Sequence, residues 1–87
     1  MNSKQRATLK AIFEKPTPAN IKFSDIERLL TSLGGQLYEG KGSAIRIAFP
    51  NGLKYDQHRP HPRKEAKRYQ VDDARLLLEL LGVEPDE

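Results

Sequence analysis

The chain is predicted to be an α+β two-layer sandwich, a three-stranded antiparallel sheet with helices on one face and an extra N-terminal helix. Three observations predict it. An amphipathic helix of unambiguous pattern occupies residues 24–33, and the apolar period then drops from helical to two across residues 36–58. A second leucine-rich helical stripe closes the chain. Helical stripes must be buried against another element, and a sheet with one apolar face supplies it.

Residues 3–14 read as the first helix: Leu9, Ile12 and Phe13 recur at i, i+3, i+4, and Ser3 is placed to cap it. Pro16-Thr17-Pro18 stops it, since proline cannot continue a helix. In the second helix Ser24-Asp25-Ile26-Glu27 fits a capping box, and Ile26, Leu29, Leu30 and Leu33 make one apolar face. Gly34-Gly35 supplies the left-handed turn that ends it. A short strand at Gln36 to Glu39 leads through Gly40-Lys41-Gly42 into Ser43 to Phe49. There Ile45, Ile47 and Phe49 point one way, and Ala44, Arg46 and Ala48 the other. Pro50-Asn51-Gly52 turns the chain into Leu53 to His58.

Matching the faces selects the loop length. A two-residue Asn-Gly loop sets Phe49 opposite Lys54 and Ile47 opposite Asp56, mixing core and solvent sides. A three-residue loop pairs Phe49 with Leu53, Ile47 with Tyr55, Arg46 with Asp56 and Ala44 with His58, which keeps the core dry. Residues 59–70 form a polar connection restrained by Pro60 and Pro62. The last helix runs from about Val71 to Leu81 on a stripe of Val71, Ala74, Leu78 and Leu81, with Asp72 and Asp73 in its first turn and Gly82 closing it.

Eighty-seven residues make one domain: a helical extension at 1–18, a core at 19–83 and an acidic tail at 84–87. There is no cysteine, which excludes disulfides and thiolate catalysis. His58, His61 and carboxylates are a poor zinc set, so no metal or cofactor is expected. No apolar run approaches a membrane span and no secretory signal is evident, which points to the cytoplasm.

The net charge of +3 hides an asymmetry. Residues 1–69 carry 14 of the 15 Lys and Arg but 6 of the 12 acids, a balance of +8; residues 70–87 balance at −5. A basic body suggests a polyanionic partner. The outward hairpin face holds Arg46 and Lys54, with Lys41 and Ser43 at its entry and Arg59, Arg63, Lys64 and Lys67 following, a set suited to phosphate contacts. His58 and His61 are the only side chains of a type that titrates near neutrality, and so the candidates for acid–base work. The glycine-rich Gly40-Lys41-Gly42-Ser43 stretch enters a strand rather than a helix, which excludes a P-loop.

From Ile21 to Val83 the layout resembles the HicA family of toxins from toxin–antitoxin pairs. The resemblance rests on Phe23-Ser24-Asp25-Ile26-Glu27 with Leu29-Leu30 and Leu33-Gly34, on Gly40-Lys41-Gly42-Ser43, on His61-Pro62, and on Leu81-Gly82-Val83. It implies a double-stranded-RNA-binding-domain-like fold, mRNA cleavage without a metal, and a HicB-like antitoxin as partner. The family's usual catalytic histidine follows the Gly-Ser pair, where this chain has Ala44. Either His58 or His61 has taken the role, or cleavage is lost and an RNA-binding or antitoxin-binding module remains. The register above sets His58 across the ladder from Ala44, so a base can change strands without leaving the site.

Overall fold

The computed structural model describes residues 1–86, so Glu87, the last residue of the expected acidic tail, lies outside it. The order is α1 (Ser3–Ile12), α2 (Phe23–Ser32), β1 (Gln36–Glu39), β2 (Ala44–Ala48), β3 (Lys54–His58) and α3 (Arg68–Leu80). The strands form one antiparallel sheet in the order β1-β2-β3. One buried cluster gathers Leu9 and Ile12 of α1, Ile26, Leu29 and Leu30 of α2, Ile45 and Ile47 of β2, Tyr55 of β3, and Val71, Ala74 and Leu78 of α3. α2 and α3 therefore cover the apolar face of the sheet, α1 packs against those two helices, and the other face is open. This is the α+β sandwich expected.

The register is the one the alternation demands. Ala44 faces His58, Arg46 faces Asp56 and Ile47 faces Tyr55. The Phe49 N–H donates to the Leu53 carbonyl at 2.9 Å, closing a three-residue loop in which Gly52 takes a φ of +90°. A one-residue slip would send Ile45 and Ile47 into water, which is why the pattern specified the pairing.

The helix starts differ from expectation. Asn2, not Ser3, caps α1: its side chain accepts from the Gln5 N–H at 2.8 Å, and its own N–H donates back to the Gln5 side chain at 3.0 Å. Asparagine is at least as good a cap as serine, and Gln5 completes the box. The capping box expected at Ser24 and Glu27 does not form. The cap position falls two residues earlier, at Lys22, and Ser24 lies in the first turn. The Phe23 N–H instead donates to the Lys64 carbonyl at 3.0 Å, and Glu27 is held by Arg59. A bidentate bond from a guanidinium is stronger than a bond to a backbone N–H, so Glu27 takes it.

The connection after β3 is shorter and better tied than expected. Glu65 bridges Lys22, and the Ala66 N–H donates to the Ile21 carbonyl at 2.7 Å. The last helix starts at Arg68, so Asp72 and Asp73 lie past its first turn and take side-chain partners. Arg75 joins the N-terminal helix to this frame: its Nε donates to the Ile12 carbonyl at 2.8 Å, and its other nitrogens reach Asp72 and Thr17. The single cation of the acidic segment thus satisfies a free carbonyl at the end of α1.

Gly34, with φ +103°, provides the left-handed turn after α2. Gly35 serves a different end. A Cβ there would run into the Ile47 side chain, and would sit 2.9 Å from both the Leu30 carbonyl oxygen and the Phe49 ring. Gly35→Ala is expected to cost about 1–3 kcal/mol by overpacking, seen as a lower urea midpoint with an unchanged slope. An unshifted midpoint would mean that the β2 core yields easily.

Candidate functional site

The open sheet face is built by alternation alone. Side chains that point away from the helices are Tyr38 on β1, Ala44 and Arg46 on β2, and Lys54, Asp56 and His58 on β3. His58 is exposed, and the Ser43 Oγ lies 3.3 Å from its Nδ1. When the imidazole carries its proton on Nδ1, it donates to Ser43 and leaves Nε2 as a free acceptor directed at solvent. Arg46 is held by Asp56 through Nε–Oδ1 at 2.7 Å and Nη2–Oδ2 at 3.2 Å. That bond raises the guanidinium further above its ordinary range. Asp56 thus balances the charge and fixes the guanidinium in place beside the His58 row, while Nη1 has no partner among the described residues.

His58 is also anchored through its backbone. Gln70, 1% exposed, donates from Nε2 to the His58 carbonyl at 2.8 Å and accepts the Lys67 N–H on Oε1 at 2.9 Å. Its own carbonyl accepts from the Tyr55 hydroxyl at 2.8 Å. Burial keeps that phenol protonated and able to donate, by pushing its pKa far up. One buried glutamine therefore closes both ends of the segment from His58 to Lys67. Sequence reading gives no sign of this, because a glutamine in a basic stretch reads as surface.

Arg59, expected among the phosphate-binding cations, is used internally. Its Nε and Nη2 bond the two Glu27 oxygens at 3.0 Å each, and Nη1 reaches Glu39 at 3.2 Å. These carboxylates, Glu27 first, raise its pKa further, so it remains charged at any working pH. Its N–H donates to the Ser43 carbonyl at 2.8 Å. Arg59 therefore ties the end of β3 to α2, β1 and the start of β2, and its charge is neutralised where it stands. Arg63 is paired to Glu65 at 3.6 Å. Lys41, Lys54, Lys64 and Lys67 have no acidic partner among the described residues.

The two histidines do not share a site. His58 lines a depression of about 500 Å³ on the open face with Tyr38, Gly40, Ala44 and Arg46. His61 lies on the connecting loop in a separate hollow with Ala19, Pro60, Pro62, Arg63 and Lys67. Lys64 lines a third, at the start of α2 beside Ser24 and Glu27. The cations expected to act as one cluster are thus divided between the sheet face and the loop.

Three antiparallel strands with helices on one face, in the order α-β-β-β-α behind an extra helix, define the double-stranded-RNA-binding-domain-like class. The family described as HicA toxin of bacterial toxin–antitoxin systems matches residues 23–83. The chain belongs to the HicA toxin family, and α1 precedes the matched segment. A toxin of such a pair has an antitoxin as partner. No curated protein and no solved structure matches the chain. No helix among the described residues is long and apolar enough to cross a membrane.

Proposed function

We propose that this toxin is an endoribonuclease that cleaves mRNA without a metal, with His58 as general base and a HicB-like antitoxin covering the open sheet face. The observation that carries the reading is the exposed His58 imidazole, with the Ser43 hydroxyl at its Nδ1 and the Arg46–Asp56 pair beside it, in which Nη1 of Arg46 has no partner among the described residues. In the reaction Nε2 takes the proton of a ribose 2′-hydroxyl, and that oxygen attacks the adjoining phosphorus. The bond to the 5′-oxygen breaks, leaving a 2′,3′-cyclic phosphate; the departing oxygen takes a proton from water as a 5′-hydroxyl, and His58 returns its proton to solvent. Arg46 and Lys54 stabilise the charge that gathers on the phosphate. A long RNA incubated with purified protein in EDTA tests this: 2′,3′-cyclic ends are expected, and intact RNA would sink the cleavage reading.

The second reading, a non-catalytic RNA-binding or antitoxin-binding module, is favoured by one observation. Ala44 occupies the place where the family's usual histidine follows Gly-Ser. Both RNA readings require electrostatic binding through Lys41, Arg46, Lys54, Lys64 and Lys67. Raising salt from about 50 to 200 mM is expected to weaken RNA binding by roughly tenfold or more for three or four phosphate contacts. Arg46→Ala with Lys54→Ala is expected to flatten that slope while keeping stability within about 1 kcal/mol, since both side chains are exposed. An affinity flat in salt for the unaltered protein would remove the electrostatic argument.

A further inference from the structure

The chain has three tyrosines, and burial separates them. Tyr55 is 3% exposed, committed to the core with its hydroxyl on Gln70. Tyr69 is exposed, but on α3. Tyr38, 52% exposed, is the one that stands on the open sheet face, directly opposite Arg46 on β2. It forms one wall of the depression whose far side is His58. The floor between them is low because Gly40 has no side chain and Ala44 has only a methyl group. From Tyr38 to His58 is two strand spacings across and two residues along, about 12 Å between backbone positions. Lys41 lies in the turn at one end of this face and Lys54 on β3 at the other.

We propose that Tyr38 and the notch over Gly40 and Ala44 form a stacking subsite for one unpaired nucleobase, making single-stranded RNA the form presented to His58. The proposal rests on the RNA reading above and adds the strand state of the substrate. An aromatic face on an open sheet stacks bases of any identity, because every base has a π-face. In a duplex those faces are already stacked, so only a splayed base can enter a hollow between a tyrosine ring and an imidazole. The phosphates on either side then run toward Lys41 and Lys54. The small floor residues decide access: a larger side chain at Ala44 would fill the space the base needs.

The test uses the full chain and short RNA oligonucleotides carrying one 2-aminopurine, whose fluorescence is quenched by stacking, single-stranded or annealed to a complement. Quenching by the unaltered protein and by Tyr38→Phe, lost in Tyr38→Ala, is expected. The alanine variant is expected to bind the single strand roughly 5- to 150-fold more weakly, the range of one base–aromatic stack. Ala44→Val, a substitution suited to a strand, is expected to weaken single-strand binding with unchanged thermal unfolding. Equal affinity of Tyr38→Ala and the unaltered protein would overturn the subsite, as would duplex binding as tight as single-strand binding. The two readings separate cleanly. Cleavage that needs His58 but is indifferent to Tyr38 and Ala44 leaves the nuclease standing and removes the subsite. Tyr38-dependent stacking without any cleavage leaves the subsite and removes the nuclease.

Discussion

Replacing His58 with alanine is expected to lower RNA cleavage by roughly 10²–10⁴-fold, the usual contribution of a positioned general base. RNA affinity is expected to change little, because the proposed phosphate contacts are made by the lysines and Arg46 around the site and not by His58. Folding is expected to be unaffected, since the side chain is exposed and its one side-chain hydrogen bond among the described residues is to the Ser43 hydroxyl. Ser43→Ala offers an independent check on the same atom. It removes the hydroxyl beside Nδ1 and frees the ring to turn, so turnover is expected to fall by less than in the histidine variant. His61→Ala is the control. It lies in a different hollow, and its effect is expected to be smaller and to follow RNA binding. Should His61→Ala be the more damaging, the base belongs to the loop and the exchange between Ala44 and His58 is wrong.

Gln70→Leu is expected to have the second largest effect, on stability and on turnover together. Leucine keeps the volume but removes both the donor to the His58 carbonyl and the acceptor for the Lys67 N–H. An unmade bond at a buried polar group costs about 1–3 kcal/mol, which should appear as a lower unfolding midpoint. The mechanistic consequence is separate. With its carbonyl released, the end of β3 shifts relative to Ser43 and Arg46, and a displacement of about 1 Å can cost about 100-fold in rate. The discriminating measurement is kcat against KM at a temperature well below the variant's midpoint. A lower kcat with a nearly constant KM identifies Gln70 as a positioning residue for His58. A destabilised variant with unchanged kcat would reduce it to a fold-stabilising glutamine.

Alternation by itself determined which residues face each other on this sheet. Ile45, Ile47 and Tyr55 must turn inward together, and that requirement alone brings His58 opposite Ala44 and Arg46 opposite Asp56. The apolar stripes of α2 and α3 were equally legible, because a period of 3.6 is written in consecutive residues. What only the tertiary structure decided is which of several competing partners each polar side chain takes. Glu27 was suited to a local cap, yet Arg59 claims it from 32 positions away, and Glu39 from 20. That choice takes one cation from the set the sequence offers for phosphate contacts and uses it to hold the end of β3. Gln70 belongs to the same class, since long-range hydrogen bonds leave no periodic trace. Local spacing specifies backbone geometry and faces; a polar side chain has several partners of similar strength within reach, and only the folded chain shows which is nearest.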